Sequence, residues 1–186
     1  MGTMFLRADS LTSIDVSNWD VSNVRYMYKM FGDARSLTNL DVSNWDTRNV
    51  RRMDGMFGVW EEQGVINLTT LDLSNWDTTN LTNMNEMFNN MLSLNELTLG
   101  ENFIFRDNSD LPPVRQTNDF TGYWQNIGSG TVANPTGRHV LTSEQLMSQF
   151  NGYTMADTFV WQPVSTRAIL LRLIANAEYR LGNLLD

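Results

Sequence analysis

One phrase of 18 residues occurs three times in this chain of 186 residues. It reads IDVSNWDVSNVRYMYKMF over 14–31, LDVSNWDTRNVRRMDGMF over 40–57 and LDLSNWDTTNLTNMNEMF over 71–88. A sequence that recurs at this length folds as an array of like units, because one unit cannot bury its apolar face alone. Aligning Asp15, Asp41 and Asp72 gives spacings of 26 and 31 residues, and the five additional residues fall within GVWEEQGVI, Gly58 to Ile66. Insertions in a repeat array map to loops on one side. This one is expected to protrude and to expose Trp60, Glu61 and Glu62.

Two periods alternate within a copy. Ile14 and Val16 share one face of a short strand, with Asp15 on the other. The turn formers SNWD follow. Val24, Met27, Met30 and Phe31 then recur at 3, 3 and 1, which predicts a helical face. Ser22 fits the N-cap of that helix, with Thr47 and Thr78 in the later copies. Gly32 and Gly58 fit left-handed C-terminal caps. The fold class expected is α/β: a leucine-rich-repeat-like solenoid of strand-turn-helix coils of about 26 residues each. It spans 1–105, with a small α+β capping module over 106–164 and an amphipathic C-terminal helix over 165–186.

Stacking turns each repeated residue into a ladder. Trp19, Trp45 and Trp76 make either a stacked core or an exposed aromatic platform. Asn18, Asn44 and Asn75 are expected to satisfy backbone groups of neighbouring copies. Asp20, Asp46 and Asp77 are expected to fix the turns. Asp15, Asp41 and Asp72 point outward, where stacked like charges repel. Hydroxyl partners, solvent or a cation would relieve that repulsion, although the glycine-rich calcium-binding pattern is absent.

A fourth copy is degenerate: Leu94, Leu97 and Leu99 keep the strand, but Thr98 replaces the aspartate and no SNWD follows. That is the form of a terminal repeat. At the other end, Met4-Phe5 matches the Met-Phe that closes each copy, so the chain is expected to be a piece of a longer array. The repeated LDVSNWDT.NV..M..MF resembles the BspA-type leucine-rich-repeat surface proteins of Gram-positive bacteria and mycoplasmas, over Met4 to about Phe105. The resemblance implies a solenoid displayed outside the cell, on a lipoprotein or wall-attached protein. It also implies adhesion to host matrix proteins in some members. It carries no binding residue over to this chain.

A net charge of −8 argues against nucleic acid or an anionic membrane as partner. The absence of cysteine removes disulfides, thiolate zinc sites and cysteine nucleophiles. MGTMFLRADS lacks the apolar run of a signal peptide, and no stretch is long and apolar enough to span a membrane. Any export signal or anchor is therefore expected outside this chain.

RDNSDLPPVRQTND reads as a linker. Thr142 to Phe150 reads as a short helix with a capping box of Thr142 and Gln145. Thr158 to Trp161 reads as a strand ended by Pro163. Tyr123 and Trp124 are candidate sugar contacts. Gly128-Ser129-Gly130 lacks the lysine of a phosphate loop and reads as a turn. His139 has no nearby nucleophile or further nitrogen ligand. In the tail, Leu170, Ile174, Ala177, Leu181 and Leu184 form a heptad-like seam, suited to docking on this chain or on a second copy.

Function follows as a non-catalytic surface adhesion or recognition module whose partner is a host matrix or surface protein or a glycan. A structural stalk is the alternative, and a cell-wall glycan enzyme a third reading. No metal, cofactor or catalytic residue is expected. Specificity is expected where the copies differ: Arg25, Tyr26, Arg51, Arg52, the insertion with Trp60, Glu61 and Glu62, and the pair Tyr123 and Trp124.

Overall fold

The computed structural model describes residues 1–60, 66–106, 108–171 and 173–174. Each copy contributes a short strand: β1 (Ser13–Ile14), β2 (Asn39–Leu40), β3 (Thr70–Leu73) and, from the degenerate copy, β4 (Glu96–Leu99). β1 pairs β2 in parallel, with Ile14 opposite Leu40. β3 pairs β4 in parallel, with Leu71 opposite Leu97 and Leu73 opposite Leu99. The alternation expected of half-buried strands holds in β3, where Leu71 and Leu73 are buried while Thr70 and Asp72 are exposed.

The expected strand-turn-helix solenoid does not form. No described residue between 1 and 106 is helical. The stretch read as a helix is a run of tight turns whose alternate N–H groups reach the next copy. Met27, Lys29, Phe31 and Asp33 donate to the carbonyls of Arg52, Asp54, Met56 and Gly58. Met53, Gly55, Phe57 and Val59 donate in turn to Asn83, Asn85, Met87 and Asn89. Between these, Met30 and Ala34 close three-residue turns onto Met27 and Phe31. Left-handed backbone recurs every fourth residue: Thr3 and Arg7, Lys29 and Asp33, Glu86 and Asn90 all have φ between 50° and 59°. That conformation cannot be absorbed inside an α-helix. Apolar spacing of 3, 3 and 1 suits successive turns as well as a helix, and Asn, Asp, Ser and Val favour the former.

The caps assigned to that helix have other work. The buried Thr47 hydroxyl donates to the carbonyl of Asp77 at 3.0 Å and accepts its N–H at 2.9 Å. Thr78 does the same with Ile104, at 3.0 and 2.7 Å. Gly32 and Gly58 lack the positive φ of a C-terminal cap; Gly55 has it instead.

The core is a set of stacked side chains. Phe5, Phe31, Phe57 and Phe88 stack in sequence, with centroids 5.4, 6.0 and 6.5 Å apart. Trp45 and Trp76 are fully buried and stacked nearly parallel, 6.3 Å apart. Each indole N–H donates to the preceding copy: Trp45 to the Val16 carbonyl at 3.0 Å and Trp76 to Val42 at 2.9 Å. The tryptophans are therefore scaffold, with Trp19 half-buried against Phe5.

The C-terminal residues extend the sheet. β5 (Phe120–Asn126), β6 (Val140–Leu141) and β7 (Asp157–Pro163) complete a five-stranded sheet in the order β3-β4-β7-β5-β6. β7 runs antiparallel along β4 and occupies its outer edge. Two short helices accompany it, α1 (Ser143–Gln149) and α2 (Gly152–Met155). The capping box is formed: Thr142 accepts from the Gln145 N–H, and the Gln145 side chain accepts from the Thr142 N–H. In the tail, residues 166–171 and 173–174 are helical with Leu170, Leu171, Leu173 and Ile174 exposed; Ala177, Leu181 and Leu184 lie outside the described residues.

Trp45→Ala removes a ring, a stack and a bond to Val16 at once, so it is expected to lower unfolding free energy by about 3–5 kcal/mol in denaturant titration. A loss below about 1 kcal/mol would contradict a buried position for this ring.

Candidate functional site

The aspartates come first, because their chemistry decides what the site is not. Asp15 accepts the Ser17 hydroxyl at 2.7 Å and the Ser17 N–H at 3.1 Å. Asp41 does the same with Ser43, at 2.7 and 3.1 Å. Asp72 accepts the Ser74 N–H at 2.9 Å. In the second turn Asp20 binds Ser22, Asp46 binds Arg48 and Asp77 binds Thr79. Each carboxylate closes its own turn. The hydroxyl of Ser17, and then its N–H, hold the Asp15 carboxyl below the ordinary range; Ser22 acts likewise on Asp20 and Ser43 on Asp41. Asp15 partly opposes the effect on Asp41 by like charge. Among the described residues no group of three or more His, Cys, Asp or Glu is placed to hold a metal ion.

Asparagines join the copies. Of the expected ladder, Asn75 donates to the Ser43 carbonyl of the preceding copy at 3.0 Å, whereas Asn18 donates within its own turn to the Ser17 hydroxyl at 3.4 Å. A second set, unforeseen in the sequence, is Asn49 on Ser22 at 2.7 Å and Asn80 on Arg48 at 2.9 Å.

What remains outward and unshared forms one face. Tyr26, Arg52 and Asn83 are bridged in parallel, copy to copy. The inward residue that follows is Met27, Met53 or Met84, buried in every copy. The outward pair 25–26 is Arg-Tyr, 51–52 is Arg-Arg and 82–83 is Thr-Asn. Arg25 and Arg51 are exposed on adjacent rungs, joined by the Arg51 N–H on the Arg25 carbonyl at 2.8 Å. Tyr26 is 50% exposed. Arg52 forms a two-pronged pair with Asp54, at 2.9 and 3.0 Å, and its guanidinium lies 5.5 Å from the Tyr28 ring centroid.

Trp60 does not protrude. Its N–H donates to Asp33 at 3.0 Å and its indole N–H to Glu86 at 2.6 Å. Lys29 lies 4.3 Å above its ring. The ring rests on Gly55, where a Cβ would fall 2.3 Å from it, and also against Gly32 and Gly58. The sequence placed this residue in an outer loop; the glycine floor holds it half-buried on the array. Glu61 and Glu62 lie outside the described residues.

The second candidate pair separates. Tyr123 is 42% exposed on β5, whereas Trp124 is buried and donates to the Ser143 hydroxyl at 3.0 Å. Trp124 is thus core and unavailable to a ligand. Neither residue belongs to the Arg25–Arg52 face.

The geometry is that of a repeated scaffold with a differentiated outer row. A family model described as "Mycoplasma protein of unknown function, DUF285" matches residues 1–103. The chain belongs to this family, a bacterial surface-protein family without an assigned function. The match does not support membership of the BspA-type leucine-rich-repeat class in particular. Neither a curated protein nor a solved structure matches the chain. No helix among the described residues is long and apolar enough to cross a membrane.

The lowered carboxyls fix a pH dependence. Their folded-state pKa lies below the unfolded value of about 3.9, so the unfolded chain binds more protons in acid. The stability they contribute is present above that value and is lost as pH falls through the folded one. Ser43→Ala is expected to return the Asp41 carboxyl toward its ordinary range in an NMR titration, with Asp15 unmoved.

Proposed function

We propose that this chain is a non-catalytic recognition module of the bacterial cell surface, and that the outer row of its first two copies binds a host matrix or surface protein. One observation carries the reading. The inward Met and Phe positions of this segment keep the same residue in all three copies, while the outward neighbours change from Arg-Tyr and Arg-Arg to Thr-Asn. Arginine and tyrosine dominate the energetic centres of protein interfaces; threonine does not. The second copy also holds Arg52 ready, fixed by Asp54 and Tyr28, and Trp60 beyond it is fixed by Glu86, Asp33 and the glycine floor. Fixed side chains lose little freedom on binding. The engagement of the repeated aspartates in their own turns supports a non-catalytic role, since glycoside hydrolysis needs two available carboxyls facing a bond.

The test is surface plasmon resonance of the chain against a panel of purified extracellular-matrix proteins. A binder should lose about tenfold in affinity, about 1.4 kcal/mol, with Tyr26→Ala and Arg51→Ala combined. Thr82→Ala, at the corresponding place in the third copy, should bind as the parent. Flat responses across the panel would leave a structural stalk as the better reading.

A further inference from the structure

We propose a glycan-binding site in the cleft between α2 and the turn that follows β4, taking one neutral or amino-sugar pyranose ring. It goes beyond the recognition face and uses different residues. The cleft has a volume of about 290 Å³ and is lined by Glu101, Phe103, Ile104, Phe150, Asn151 and Tyr153.

Its construction starts at Gly152. A Cβ there would fall 2.2 Å from the Glu101 carbonyl, so only glycine lets α2 dock against this turn. That docking brings three unlike groups to one cleft. Tyr153 is 88% exposed, the highest value for a large apolar or aromatic side chain among the described residues. The Asn151 side-chain Oδ1 caps α2 by accepting the Tyr153 N–H at 3.1 Å, and both hydrogens of its side-chain amide are unbonded among the described residues. The Glu101 carboxylate is exposed and makes no hydrogen bond or ion pair within the described chain. Below them Phe103 and Phe150 belong to a firm aromatic cluster with Phe105 and Phe159.

An aromatic surface beside one free acceptor and one free donor matches a sugar ring, which has an apolar C–H face and hydroxyls at its rim. Other occupants fit less well. An extended peptide needs a free strand edge, but β4 is paired on one side by β3 and on the other by β7. A single carboxylate is too few ligands for a calcium ion. Glu101 and the net charge of −8 disfavour sialic and uronic acids. One ring on an open cleft should bind with a Kd of about 1 mM.

The experiment is an NMR titration of the intact chain with methyl glucoside, N-acetylglucosamine and N-acetylneuraminic acid. Shifts at Tyr153 and Ile104 with either of the first two, and none with the acid, are expected. Tyr153→Ala should weaken that binding at least tenfold, Tyr153→Phe should keep it within about twofold, and Glu101→Gln should weaken it and reduce discrimination against the acid. The proposal is overturned if none of these sugars shifts the site up to about 50 mM, a level well above the expected Kd. An apparent Kd in Tyr153→Ala equal to that of the parent would overturn it equally. Tyr26→Ala with Arg51→Ala should leave the sugar titration unchanged, so the two readings fail separately.

Discussion

Everything in the array depends on each copy covering the apolar layer of the one before it. The Phe5-Phe31-Phe57-Phe88 stack and the Trp45-Trp76 pair are covered by side chains of their own kind, one copy away. Polar groups lock the register of this stack. The indole N–H of Trp45 has its acceptor on Val16, that of Trp76 on Val42, and Thr47 both gives and accepts a bond at Asp77. A slip of one residue would leave buried indole and hydroxyl groups unbonded, at about 1–3 kcal/mol each. Apolar layers supply the stabilisation, and these few polar bonds decide the alignment.

The same constraint explains how the unequal spacing is tolerated. Between the second and third copies the outer row stays continuous, from Met53 on Asn83 to Val59 on Asn89. The strand side does not: β2 pairs only β1, and β3 only β4. Beyond Trp60 the chain is in the core at Ile66 and Leu68. The longer spacing thus interrupts one ladder and spares the stacked aromatics, where a void would destabilise most.

Much of this was legible in the sequence, and the failures have physical causes. The repeat, its buried Met and Phe positions, the closing of turns by Asp20 and Asp77, and the capping box at Thr142 all follow from local patterns. The helix did not form because apolar spacing alone does not separate a helix from consecutive turns; the left-handed residues Lys29, Asp33, Glu86 and Asn90 decide it, and none is a glycine. Trp60 was misplaced because its seat consists of glycines from two copies, Gly32 beside Gly55 and Gly58, which meet only after stacking. Trp124 was separable from Tyr123 by the twofold alternation of a strand, a signal that was present in the sequence.

That division between locked and free positions bears directly on recognition. Inward residues cannot change without loss of packing, and the turn aspartates, asparagines and threonines are held by bonds within and between copies. Outward residues of the row at 25 and 26 carry no such duty beyond their backbone pairing, and Arg51 adds only a 3.4 Å side-chain bond to the Asn80 carbonyl. Yet Arg52 and Trp60 are tied to neighbours by side-chain contacts that do little for the core. Exposed ion pairs of this kind contribute roughly 0–1 kcal/mol to folding. Their clearer effect is to fix the shape of a surface before a partner arrives, which reduces the ordering that association requires. A pure spacer gains nothing from fixing Arg52 and Trp60 on its outer face. A binding surface does, because rigidity at chosen positions is what separates a specific contact from a merely soluble exterior.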